Sequence, residues 1–195
     1  MLKIFVYNIK GFEGTPSKLA HQFLTHLLEE ELHEKAENLY FAKHAQGKPY
    51  LISHPHIHFN ISHSFDYIAI ALSYKPVGID IEKIRTRNYK PILERYFAVE
   101  EQNYIFSLDP EKQNASFIQL WTLKECFLKY KGCGIANNIE AYPLVIDPLN
   151  HSVQVKNNKG EIVFFHTQCL AEEYYISLCT PRTSEAIFYF QDARI

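Results

Sequence analysis

The sequence predicts an α+β protein of two similar halves, each a helix packed on antiparallel strands, related as a pseudo-two-fold within one chain. Three observations predict it. Two long apolar stripes at helical spacing each open with a capping residue followed by proline, at Thr15-Pro16 and at Asp109-Pro110. After each stripe come several short runs that alternate apolar and polar residues, the period of a half-buried strand. No Gly/Ser-rich linker separates the two sets, so halves spanning 1–95 and 96–195 are expected to pack intimately, with any active site between them.

In the first half, Lys3 to Ile9 alternates as a strand. Thr15 then caps a helix with Pro16 at its first position, where the amide has no intrahelical partner to lose. Leu19, Phe23, Leu24, Leu27 and Leu28 form its apolar stripe, and Glu29-Glu30-Glu31 reads as a solvated face. Gly47-Lys48-Pro49-Tyr50 signals a loop. His58–Ser62, Tyr67–Tyr74 and Val77–Ile81 read as strands, with a tight turn at Lys75-Pro76. A basic stretch, Lys83 to Lys90, starts the crossing to the second half. Val99 to Leu108 reads as a helix, and a longer one follows from Pro110 to the residue before Gly132. Its buried stripe is Phe117, Leu120, Trp121, Phe127 and Leu128. The rest alternates again over Val153–Val155, Ile162–Phe165, Tyr174–Cys179 and Ala186–Phe190, with a hairpin signal at Asn157-Asn158-Lys159-Gly160 between the first two.

Composition narrows the function. The chain has 195 residues, 47% hydrophobic and 22% charged, enough apolar material for a globular core. A formal net charge of −2 provides no field for nucleic acid, so any anion site must be built locally. Cys126, Cys133, Cys169 and Cys179 lack C-x-x-C spacing and suit a reducing compartment. No targeting pattern and no run of eighteen apolar residues is present, so the expectation is a cytoplasmic protein without a membrane or nucleic-acid partner.

Three clusters carry the chemistry. In Gly78-Ile79-Asp80-Ile81-Glu82 the period of two turns both carboxylates to one strand face, where they could share a hard cation. In Trp121-Thr122-Leu123-Lys124-Glu125-Cys126-Phe127-Leu128-Lys129, Glu125 and Lys129 lie near one side of a helix, a surface ion pair or part of a cleft. Charges amid so apolar a segment favour the cleft. In His58-Phe59-Asn60-Ile61-Ser62-His63-Ser64, hydroxyl, imidazole and backbone donors at a strand end suit phosphate oxygens. The tract His54, His56, His58, His63 could instead bind zinc as an interaction module. Lys83, Arg85, Arg87 and Lys90 read equally as a solvated basic run or a docking surface for an acidic partner.

The ordered set G-K-P, F-N-I-S-H-S, G-I-D-I-E and W-T-L-K-E-x-x-x-K, from Gly47 to about Gly134, resembles the 4'-phosphopantetheinyl transferases. It is similar to the two-lobed monomeric type that activates peptide and polyketide synthases. The resemblance implies that fold, a monomer, and Mg²⁺-dependent transfer of 4'-phosphopantetheine from coenzyme A to a serine of an acyl or peptidyl carrier protein, releasing adenosine 3',5'-bisphosphate. It implies Asp80, Glu82 and Glu125 as metal ligands, with Glu125 also the general base and Lys129 beside the pyrophosphate. It implies coenzyme A contacts at Gly47, Lys48, Pro49, Ser62, His63, Lys124 and Lys129. The alternative is a degenerate homologue that binds coenzyme A or a carrier without transferring. The chain departs from the pattern at Phe65, where a small residue is usual, and at Gly132-Cys133-Gly134, where the family's lysine is missing. It departs again on the first helix, where Lys18 is the nearest candidate for the 3'-phosphate contact.

Overall fold

A computed structural model describes residues 2–133, 139–147, 152–156, 159–182 and 186–192. The elements run β1 (Leu2–Asn8), α1 (Pro16–Leu32), β2 (Phe41–Lys43), β3 (Pro49–Leu51), β4 (His58–Ser64), β5 (Tyr67–Ser73), β6 (Gly78–Lys83), α2 (Lys90–Tyr96), α3 (Val99–Phe106) and α4 (Pro110–Lys131). They continue with β7 (Leu144–Ile146), β8 (Val153–Val155), β9 (Phe164–Leu170), β10 (Tyr174–Thr180) and β11 (Ile187–Asp192). Thr15 caps α1 by accepting the amide of Lys18, and Pro16 opens it. Gly132, at φ 74°, ends α4 in the left-handed region that favours glycine.

Two sheets hold the molecule together. One has the order β11-β1-β5-β4 and the other β6-β10-β9. Alternation buries both faces of β1: Phe5 and Tyr7 pack with Phe23 and Leu27 of α1, while Leu2, Ile4 and Val6 pack with Ile79 and Ile81 of β6 and Ile176 and Leu178 of β10. The layers are therefore α1, first sheet, second sheet, α4, an α+β arrangement with one long helix outside each sheet. Strands from both sides of residue 95 share each sheet. β6 pairs antiparallel with β10, and β11 lies parallel to β1.

Several elements differ from the sequence reading. Lys75-Pro76 does not join neighbouring strands; β5 and β6 belong to different sheets, and the turn carries the chain between layers. β8 pairs with β7, not with β9, so the Lys159-Gly160 turn joins no hairpin of the expected kind. Asn157-Asn158 and Gly134 lie outside the described residues. α2, β2, β3 and β7 were not expected. Glu31 is not purely solvated; it is half-buried and ion-paired with Lys3 of β1.

α4 is buried on all sides over Thr122–Leu128, not along one stripe. It meets β6 backbone to backbone at Gly78, where a Cβ would lie 1.9 Å from the carbonyl oxygen of Cys126 and 2.5 Å from the nitrogen of Tyr130. Only glycine permits that approach. Gly78→Ala should therefore cost stability at the upper end of the about 1–3 kcal/mol seen for overpacking. Chemical denaturation would measure it, and an unchanged midpoint would show that α4 can shift freely.

Candidate active site

β6 is the edge of its sheet, so the amides along its free side need partners. β4 supplies them with side chains. Asn60 Oδ1 accepts from Ile79 N (2.8 Å), Ser62 Oγ from Ile81 N (3.3 Å) and Ser64 Oγ from Lys83 N (3.2 Å), one rung every second residue. The same hydroxyls donate to the acids between the rungs: Ser62 to Asp80 Oδ1 at 2.7 Å and Ser64 to Glu82 Oε2 at 2.9 Å. Across this ladder comes α4. Lys129 Nζ donates to Asp80 Oδ1 (2.6 Å) and to Ser62 Oγ (3.0 Å), and Glu125 stands one turn earlier.

The acids are deeply placed. Asp80 and Glu125 are 4% and 3% exposed, and Asp80 Oδ2 and Glu125 Oε2 are buried without a hydrogen-bond partner among the described residues. Burial, then the Asp80 charge, raises the Glu125 pKa to about 8 against the pull of Lys129. Glu82 is also raised, by burial and by Asp80, with the Ser64 hydrogen bond opposing. Among the described residues no three His, Cys, Asp or Glu side chains already enclose one point; on Asp80 Oδ1 sits an ammonium, not a third carboxylate.

The other residues singled out from sequence fall in three places. Gly47, Pro49 and His63 line a cleft of about 480 Å³ with Ser17, His21 and Lys43. His63 Nε2 lies 3.2 Å from Ser17 Oγ on α1. Ser62 and His63, adjacent in sequence, face opposite sides of β4: Ser62 joins the acids and His63 the cleft. Ser62 has spent its one donor and both acceptors there. The Lys124 ammonium pairs with Glu101, at 2.6 and 2.9 Å, not with the acid cluster. Lys124 is 2% exposed, its ammonium 4.6 Å from the Phe97 ring centroid. Lys48 turns its ammonium to backbone carbonyls of α4.

His21 and Lys43 were missed, since nothing in their spacing marks them; Lys18 is exposed and outside the cleft. The histidine tract divides, His58 lining one cleft and His63 another, and His56 stacks on Tyr74. Cys126 is fully buried, and burial pushes its thiol pKa well up, the setting of a packing residue and not a nucleophile. Of the basic run, Lys83 is paired with Glu173 at 3.3 Å, and Arg87 lies over the Phe117 ring. Arg85 is exposed, 5.1 Å from the ring of Phe65, itself 53% exposed and held at φ 50° in the β4–β5 turn.

The α+β fold thus holds a carboxylate cluster on a strand edge with a lysine one helical turn from the third acid, groups suited to a hard cation and to phosphate oxygens. Residues 76–179 match the sequence profile of the 4'-phosphopantetheinyl transferase superfamily. The chain is 34% identical over 176 residues to the 4'-phosphopantetheinyl transferase gsp of Aneurinibacillus migulanus, covering 90% of this chain and 73% of that one. It is 30% identical over 169 residues to the 4'-phosphopantetheinyl transferase psf-1 of Bacillus pumilus, covering 86% and 72%. A solved holo-(acyl-carrier-protein) synthase from Bacillus anthracis, in complex with CoA (3',5'-ADP), is similar at TM-score 0.46 and 19% identity, covering 53% of this chain and 92% of that one. The chain belongs to the 4'-phosphopantetheinyl transferase superfamily.

The raised Glu125 pKa makes a prediction about stability without metal. The folded state keeps a proton that the unfolded carboxyl releases near its ordinary value, so this group's contribution to stability falls as pH rises from about 4.5 to about 8. Glu125→Gln removes the dependence. In EDTA its melting temperature should match wild type at low pH and exceed it at pH above 8. Parallel melting curves across that range would contradict the burial argument.

Proposed function

We propose that the chain transfers 4'-phosphopantetheine from coenzyme A to a serine hydroxyl of an apo acyl or peptidyl carrier protein, releasing adenosine 3',5'-bisphosphate. The observation that supports it most is the pair of buried, unpartnered carboxylate oxygens, Asp80 Oδ2 and Glu125 Oε2, beside the Lys129 ammonium. Oxygens without a donor, in a buried acid cluster, fit a hard divalent cation, which completes its shell with water and phosphate oxygens. Asp80, Glu82 and Glu125 would hold Mg²⁺. When bound, it neutralises charge on the pyrophosphate.

The chain's own groups do the rest. Gly47, Pro49 and His63 line the cleft that receives the nucleotide, with the His21 imidazole and the Lys43 ammonium as added donors for its phosphates. Glu125 takes the proton of the carrier serine as that oxygen bonds to the phosphorus next to the pantetheine arm. The bond from this phosphorus to the nucleotide's phosphate oxygen breaks, and the bisphosphate leaves. Lys129, anchored on Asp80 and Ser62, offers fixed positive charge to the oxygens that gain negative charge. Ser62 and Lys124 serve from within the protein, one orienting Asp80 and the other bracing α4. The acids of the 1–95 half and Glu125 with Lys129 of the 96–195 half come from a single copy, which supports reading the protein as a monomer; a cytoplasmic location belongs to the same proposal.

Mass spectrometry of apo carrier proteins incubated with this chain, coenzyme A and Mg²⁺ tests the reading. A gain of one phosphopantetheine is expected, lost with EDTA and nearly lost in Glu125→Gln with its fold retained. No gain on any carrier, with coenzyme A still bound, would leave a binding homologue.

Arg85, an exposed cation over the exposed Phe65 ring, is offered by the basic run as a contact for a carrier. Arg85→Glu should lower kcat/KM for the carrier about tenfold at low salt, with a smaller effect at high salt. Equal kcat/KM at every salt concentration would remove Arg85 from docking.

A further inference from the structure

We propose that Lys48 is a positioning residue that clamps the last turn of α4, the turn carrying Lys129, and that it does not contact the nucleotide. The kinetic part of this rests on the transferase reading above. Lys48 sits between Gly47 and Pro49 in the β2–β3 turn, and those two neighbours line the nucleotide cleft. Lys48 itself lines a second cleft, with Tyr130 and Gly132, and is not among the residues of the first.

There the ammonium donates to the carbonyl oxygens of Val77 at 3.1 Å, Lys129, and Tyr130 at 3.4 Å. An ammonium has three N–H groups and no more. All three are committed to backbone, so none is left for a phosphate oxygen.

The three acceptors explain what the clamp does. Lys129 and Tyr130 belong to the end of α4, where carbonyls lack the usual bond one full turn on (among the described backbone amides, Lys129 O has only that of Gly132, at 3.2 Å) and the helix dipole favours a cation. Val77 immediately precedes Gly78, the point where β6 and α4 touch. One buried nitrogen thus joins three things: the hairpin that walls the nucleotide cleft, the start of the strand that carries Asp80 and Glu82, and the turn that carries Lys129. Burial draws the Lys48 pKa down to about 8, which still leaves it charged at neutral pH.

The test compares Lys48→Met and Lys48→Arg with wild type by three measurements: calorimetric affinity for adenosine 3',5'-bisphosphate, kcat, and hydrogen exchange of the α4 C-terminal amides. Clamping predicts nucleotide affinity within about twofold of wild type, kcat lowered about tenfold or more, and faster exchange over residues 130–133. Lys48→Arg keeps the charge, yet its planar fork cannot set three N–H groups on carbonyls gathered around one nitrogen, so kcat stays low. A nucleotide affinity lowered about tenfold with kcat retained, or full rescue by Lys48→Arg, would overturn the proposal. If Lys48→Met does not fold, Lys48→Arg decides on the same measurements. Should wild type bind no bisphosphate, the transferase reading fails; exchange then decides the clamp alone, and unchanged exchange at the end of α4 overturns it.

Discussion

The edge of β6 is bonded to side chains where a neighbouring strand would usually stand, and the site depends on that substitution. A backbone partner would have satisfied the amides of Ile79, Ile81 and Lys83 equally well, but it would have brought no hydroxyls to the acids between them. Asn60, Ser62 and Ser64 do both at once. Each serine accepts from the β6 backbone and donates to a β6 carboxylate, so the position of the strand and the orientation of its acids are fixed together. Ser62 carries this furthest, because the Lys129 ammonium takes its remaining acceptor. A hydroxyl with every valence used has little freedom to rotate, which is the preorganisation that electrostatic catalysis requires.

The second constraint is the burial of α4. A helix wrapped on all sides can place a carboxylate where water does not reach it, and Glu125 is raised for that reason before any neighbour acts. Such a helix must also account for its other charges. Lys124 meets Glu101, which also accepts the amides of Ala98 and Leu144. That leaves no lone buried ion, the condition under which a buried pair is tolerable. The pair braces α3 and β7 against α4 on the side away from the acids.

Much of this was legible in the chain. The helix starts at Pro16 and Pro110 and the stop at Gly132 follow from local chemistry, although of the two expected caps Thr15 makes its bond and Asp109 turns to Lys112 instead. The period of two correctly set Asp80 and Glu82 on one face. What could not be read was destination. Alternation gives β6 the same pattern whichever sheet it joins, so the step between layers at Lys75-Pro76 left no mark. α2 is short, and its cap position, Tyr89, makes no side-chain capping bond. The long flexible stems of Lys48 and Lys124 conceal where their ammonium groups end, and both finish inside the protein. Ser62 and His63 are read together as contacts to one ligand, yet adjacent strand residues face opposite sides, so the two part company on β4.

The pairing of β1 with β11 joins a strand that precedes every other described element to one that follows them all. Lys3 stands opposite Ile187 and Asn8 opposite Asp192, so a ribosome that has reached only the end of α4 presents β1 with one side open. An open apolar strand edge is a template for other chains. Closing a loop of this length costs little more than closing a shorter one, since the entropy grows only with the logarithm of length. The delay is therefore one of synthesis time, and the N-terminal layer is most exposed to misassociation while the rest of the chain is still being made.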